Sequence, residues 1–301
     1  MVRSFDASTE RFLNDLARTS RRIETAQREI TSGKRLNSVS DDPNQISSLF
    51  ESRALVERTS QLKIDLGSFK TEVDISENTL QQAVENMEKA RVLASQGSSG
   101  EDLTQMRLAL ARKVEDMMTQ MVSLANTSLE GRYVFAGDSD QAAPYTIDLT
   151  QSSPISPYGG SPSTRQALHP SGYTFSIART ADEIFDNSDP TKNVLSALNN
   201  LRVALQSDSD QGVKDALTNI ETASTHLNQE LAFYGSAQNQ IDGAIEFSDR
   251  KAIQLRQQLA GVEEADTVQA ILDLQNARLS YEAALGARAR LPNKSLFDYL
   301  A

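Results

Sequence analysis

The chain of 301 residues has no cysteine, no tryptophan and two histidines. Lacking thiols, it has no disulfide scaffold, no Cys-ligated zinc and no sulfur nucleophile. This leaves the redox compartment open. His169 lies in a proline-rich stretch and His226 one residue off an apolar seam, where it is expected to be exposed. Neither has neighbours resembling a catalytic triad or a metal site. GxGxxG, Walker and GxSxG patterns are absent, and Asp208-Ser209-Asp210-Gln211-Gly212 lacks the third acid and closing glutamate of a calcium loop. It reads as a turn. No run of 18 apolar residues exists, so no membrane insertion is expected. Met1-Val2-Arg3-Ser4-Phe5-Asp6 lacks the build of a secretory signal, and an extracellular location then requires another export route.

Proline is scarce in a patterned way. None occurs between Pro43 and Pro144 or between Pro190 and Pro292, whereas residues 131–190 hold six of the eight. Two long arms are therefore free to be helical. In the middle segment apolar residues alternate, as in Tyr133 and Phe135, Tyr145, Ile147 and Leu149, or Tyr173, Phe175 and Ile177. A period of two predicts short strands of a small β unit, with an irregular loop over residues 152–172.

What the arms do have is a longer period. Positions spaced alternately four and three are apolar at twelve of fifteen places from Val213 to Val262, and at ten of twelve from Leu55 to Ala94. These are heptad seams of long helices. A further helix is predicted between the break at Gly97 to Gly100 and Gly131, carrying Leu110, Val114, Met117 and Met121 on one face, and a shorter one carries Val194, Leu198, Leu201 and Leu205. The fold class is thus mainly α: an antiparallel heptad rod formed by the two arms, with a small β-rich domain inserted in the middle and set at the rod's far end. The expected division is 1–38, 39–130, 131–190, 191–264 and 265–301.

The two ends differ from the body. Residues 1–33 form an amphipathic helix with Phe5, Phe12, Leu16, Ile23 and Ile30 on one stripe, ended by Gly33. Asp42 then stands as N-cap and Pro43 at the first helical position of the next helix. The last segment carries two apolar stripes, one with Val268, Leu272 and Leu279, the other with Ile271, Leu274, Tyr281 and Leu285. A helix apolar on two sides needs two neighbours. Leu296, Tyr299 and Leu300 close the sequence as a docking end. Net charge is −11 overall, yet residues 1–36 carry eight basic and five acidic side chains. The acidic remainder argues against nucleic-acid binding.

The run Ser32-Gly33-Lys34-Arg35-Leu36-Asn37-Ser38, followed by Asp41-Asp42-Pro43, resembles the amino-terminal signature of the flagellin superfamily. Its motif residues map onto Ser32, Gly33, Arg35, Leu36, Asn37, Asp41, Asp42 and Pro43. Asp42-Pro43, Gly131-Arg132-Tyr133-Val134-Phe135-Ala136-Gly137 and the Ser295-Leu296-Phe297-Asp298-Tyr299-Leu300 ending are similar to members that join hook to filament, more than to filament flagellins. The resemblance implies a non-enzymatic structural subunit of the bacterial flagellum with no cofactor, exported unfolded without a cleaved signal peptide. Implied partners are other copies of itself, hook-associated protein 1, flagellin and an export chaperone. It further implies terminal helices that pack on assembly, for which the subunit-interaction residues are Phe5, Phe12, Leu16, Ile23, Ile30, Leu272, Leu279, Leu285, Leu296, Tyr299 and Leu300. Two alternatives stand beside it: a short filament flagellin, and a helical stalk carrying a carbohydrate-binding or enzymatic β module.

Overall fold

The computed structural model describes residues 7–36, 43–98, 104–151 and 153–290. Asn37, Asp41, Asp42, Phe5, Leu296, Tyr299 and Leu300 lie outside them. The elements are α1 (Ala7–Ser32), α2 (Pro43–Ser98), α3 (Thr104–Ala125), β1 (Ser128–Leu129), β2 (Arg132–Tyr133), β3 (Gln166–Leu168), β4 (Thr174–Ser176), α4 (Ala181–Ile184), α5 (Val194–Gln206), α6 (Asp210–Glu263) and α7 (Thr267–Arg290). The fold is mainly α, and among the described residues no helix is long and apolar enough to cross a membrane. The chain forms two compact units: residues 59–250, and residues 1–58 with 251–301.

In the larger unit the two heptad seams meet. Leu66, Val73, Leu80 and Met87 of α2 and Val213, Ile220, Leu227, Tyr234 and Ile241 of α6 share one core with Val114, Met118 and Met121 of α3 and Leu198, Leu201 and Leu205 of α5. Cross-helix pairs give the register: Lys63 to Asp249 (2.6 Å), Lys70 to Asp242 (2.5 Å) and Gln238 to Asp74 (2.8 Å). Each step down α2, of seven and then four residues, is matched by an equal step up α6, as antiparallel heptad packing requires.

At one end of this unit the last turn of α2 and the α5–α6 connection are tied by Arg107 of α3, which is buried. Its Nε donates to the Gly97 carbonyl (2.9 Å), Nη1 to Asp208 (2.6 Å) and Nη2 to Asp210. Thr104 donates to the other Asp208 oxygen (2.7 Å). The acidic run is a turn whose cation is an arginine of the chain itself.

The placement of the middle segment at the far end of the rod is incorrect. α3 runs back along α2, with Asn86 donating to the Met117 carbonyl (3.1 Å), so the chain leaves α3 beside the middle of α2. The last turn of α2 and the α5–α6 connection, tied by Arg107, occupy the end instead. Phe135 packs edge-on against Phe185 and Tyr234 (centroids 5.9 and 6.4 Å), and the Arg179 amide donates to the Tyr234 hydroxyl (3.1 Å). Two antiparallel hairpins, β1–β2 and β3–β4, are the only ladders of named strands among the described residues, and an isolated bridge joins Ile147 to Ile155. Phe135, Tyr145, Ala167, Phe175 and Ile177 all join the helical core. A segment of some sixty residues is marginal as a separate core, and here its apolar side chains are completed by the helices.

His226 is likewise buried rather than exposed. α4 and the chain leading to α5 cover that face of α6, and its Nε2 donates to the Glu183 carbonyl (2.9 Å).

Candidate assembly surfaces

The smaller unit carries α1 and α7, which pack antiparallel. At one end Arg288 donates to Thr9 Oγ1 (2.9 Å) and lies over the Phe12 ring (5.6 Å); at the other the Ala265 amide donates to the Gly33 carbonyl (3.0 Å). Among the described residues only small side chains are fully covered between them: Ala26 on α1, and Ala270 and Ala277 on α7. Alanines let the two backbones approach closely. Phe12, Leu16, Ile23 and Ile30 of α1, and Leu274 and Tyr281 of α7, flank them half-buried. α7 therefore turns part of one stripe, Leu274 and Tyr281, toward α1, while Ile271 of that stripe stays 45% exposed. The other remains open, with Val268 68%, Leu272 48% and Leu279 67% exposed, and Leu285 is 43% exposed at its edge. Arg11, Arg18, Arg21, Arg22 and Arg28 line the outer side of α1.

The segment after α1 forms a clasp on the end of α6. Ser32 Oγ donates to the Arg28 carbonyl (2.7 Å) and accepts from the Lys34 amide (3.1 Å). Gly33 takes a left-handed backbone (φ +67°), the usual helix-ending conformation, in which a Cβ is unwelcome. That turn aims the following backbone at α6. The Arg35 amide donates to the Glu263 carbonyl (2.7 Å), and its guanidinium to the Val262 carbonyl (3.0 Å) and to Gln45 (2.8 Å). Terminal carbonyls that the helix cannot satisfy are thus capped from a distant segment.

The Glu263 side chain, 9% exposed, is held by both nitrogen arms of Arg53 (Nη2 2.9 Å, Nε 3.3 Å) and by Lys34. Hydrogen bonding from Arg53, and secondarily from Lys34, keeps its carboxyl below the ordinary carboxylate range, against the opposing effect of burial. Leu36 is buried, and α2 opens at Pro43.

Of the residues singled out in the sequence, Phe12, Leu16, Ile23 and Ile30 thus lie together on one side of α1, while Leu272 and Leu279 lie on the open stripe of α7. Ser32, Gly33 and Arg35 build the clasp. Sequence reasoning missed Glu263 and Arg53, which stand 210 residues apart; the one local signal was the end of the heptad seam at Val262.

The profile of the bacterial flagellin N-terminal helical region matches residues 6–140, and that of the bacterial flagellin C-terminal helical region matches residues 217–300. The chain belongs to the flagellin superfamily. Ser32, Gly33, Lys34 and Arg35, the part of the signature-like run within the described residues, form the clasp on the end of α6. Among its sequence relatives, flagellar hook-associated protein 3 of Escherichia coli (strain K12) is 24% identical over 302 residues, covering 90% of each protein. The protein of the same name from Salmonella typhimurium is 26% identical over 236 residues, covering 68% of this chain and 72% of that one. Among solved structures, a putative flagellar hook-associated protein from Vibrio parahaemolyticus superposes with a TM-score of 0.66 at 20% identity, covering 74% of this chain and all of that one.

Proposed function

We propose that this protein is a structural subunit of the bacterial flagellum that joins the hook side to the flagellin filament, outside the cell, by self-assembly through residues 1–38 and 265–301. The open stripe of α7 carries this reading. Covering Val268, Leu272 and Leu279 is worth about 1.5–3 kcal/mol per side chain, and α1 already occupies the opposite face. A neighbouring copy supplies the missing cover, with Leu285, 43% exposed, beside it; Phe5, Leu296, Tyr299 and Leu300 are the further interaction residues that the sequence offers. Similarity along nine-tenths of the chain to flagellar hook-associated protein 3 favours the junction over the filament. Hook-associated protein 1 on one side, flagellin on the other and an export chaperone before assembly are the partners this role requires. Catalysis has no part in it.

Electron micrographs of a strain lacking the gene test the assignment. Hooks without filaments, with flagellin released to the medium, are the expected outcome, and normal filaments overturn it. Limited proteolysis of the purified monomer tests the mechanism: rapid trimming of both ends is expected, whereas a monomer with fully protected termini removes the case for assembly through them.

A further inference from the structure

α2 and α3 run side by side, and along their outer seam lies an open groove of about 680 Å³. Its floor is apolar: Val84 and Leu93 are half-buried, Met117 is buried, and Val92 stays 52% exposed. Leu93 packs on the core of the larger unit, whereas Val92 stands outside it. The rim carries Glu85, Lys89, Lys113 and Asp116, none with an ion pair among the described residues; Glu88 is engaged by Arg91 (2.7 Å). Free charges of both signs beside an apolar floor make a groove that suits an amphipathic helix.

α7 supplies a complementary face. Val268, Leu272, Gln275, Leu279 and Ala283 follow one another at spacings of three and four, all exposed, so that an uncharged stripe runs along this side of the helix. Arg278 and Glu282 flank it, again without ion pairs among the described residues. At ~1.5 Å per residue, Val84 to Leu93 spans about 14 Å of groove and Val268 to Leu279 about 16 Å of stripe. The other open helix face of the smaller unit, the outer side of α1, is lined with arginines, and laying those on an apolar floor strips their hydration. Two larger units are both acidic and repel one another, so the near-neutral smaller unit is the one that approaches the groove.

We propose that the α2–α3 groove of one copy receives the α7 stripe of a second copy, with Leu272 and Leu279 on its floor. Arg278 then faces Glu85 or Asp116, and Glu282 faces Lys89 or Lys113. Every copy carries one stripe and one groove, so the contact is head-to-tail and repeats from copy to copy. The proposal rests on the assembly reading above and adds to it the surface that meets α7.

The test mixes two forms of the full chain. One is unlabelled Asn276→Cys carrying a nitroxide beside the stripe, at the only thiol because the chain has no cysteine of its own. The other is ¹⁵N-labelled wild type, so that only contacts between copies broaden the observed amide signals. Broadening at residues 84–93 and 113–117 is expected. Broadening centred anywhere else, on α1 or α7 of the labelled copy for instance, or none at all, overturns the proposal. Sedimentation of the same sample shows what falls with it: persisting association leaves assembly through the ends standing, and a monomer removes that as well. Val92→Asp, at a half-exposed site, is expected to weaken self-association at least about tenfold by placing a charge on the floor. Ile64→Asp adds the same charge elsewhere on α2, at 61% exposure, and is expected to leave association unchanged. Equal weakening by the two variants also overturns the proposal.

Discussion

Leu198, Met121 and Tyr234 of the larger unit are fully buried, whereas Leu272 and Leu279 of the smaller unit are 48% and 67% exposed, although all five stand on apolar stripes of regular helices. In the larger unit four helices and the middle segment close around one another, and each seam finds a partner within the chain. Among the described residues of α1 and α7 only alanines are fully covered. Charge divides along the same line: residues 1–58 with 251–301 carry 16 basic and 15 acidic side chains, residues 59–250 carry 14 and 26. A near-neutral unit with apolar side chains left open suits close packing against copies of itself. A strongly acidic unit repels them and stays solvated.

Breaking the closed core should give the largest effect. Leu198→Ala removes a side chain with no route to solvent, and the expected loss is about 2–5 kcal/mol, read as a fall in the denaturant midpoint with an unchanged slope. A slope that changes as well would mean that the unit no longer unfolds as one piece. Next comes Arg107→Ala, which leaves the Gly97 carbonyl without its donor and frees the α5–α6 turn from the end of α2. About 1–3 kcal/mol is expected, less than a fully buried ion pair costs, because Asp208 and Asp210 recover solvent on the side they already expose. A loss as large as that of Leu198→Ala would show that the connections, rather than the seams, hold this unit together.

The clasp offers a smaller effect, dependent on pH. Glu263 has a depressed pKa in the folded chain, so its contribution is present above the ordinary carboxylate pKa and is lost as pH falls through the lower folded value. Hydrogen exchange at the Arg35 and Ala265 amides should therefore, after correction for intrinsic rates, lose protection in acid in the wild type. In Glu263→Gln, protection should be lower by about 1–2 kcal/mol at neutral pH and much less dependent on pH. Equal pH dependence in both proteins would show that the backbone hydrogen bonds hold the clasp without the carboxylate.

Much of this was legible in the sequence because it is local. Gly33, Pro43, the break after Gly97 and the break after Glu263 mark helix ends, and heptad spacing marks the seams that close the larger core. Long-range consequences were not legible in that way. The return of α3 along α2 decides where the middle segment sits, yet each residue of α3 only says helix. Lys34, Arg53 and Glu263 meet because Gly33 turns the chain, and nothing in the neighbourhood of Glu263 announces its partners. The two stripes of α7 were visible, but which side faces α1 was settled by alanine: Ala270 and Ala277 permit close approach beside Leu274 and Tyr281, whereas Val268, Leu272 and Leu279 were left outside.

The smallest effect on the monomer, and the sharpest contrast, belongs to Leu279→Ser. At 67% exposure it makes few contacts within the chain, so monomer stability should change by no more than about 0.5 kcal/mol. In an assembled copy the same side chain is to be covered, and exchanging it for a hydroxyl removes about 2 kcal/mol at each repeat of the contact. Because a polymer multiplies that loss over every interface, purified variant protein should stay folded and monomeric under conditions where the wild type associates, and a strain carrying it should release flagellin to the medium. Ile64→Ser, on the exposed surface of the larger unit at 61%, is the matched control and should leave assembly intact. If the two variants behave alike, exposure alone explains Leu279, and the difference between the two units has no bearing on assembly.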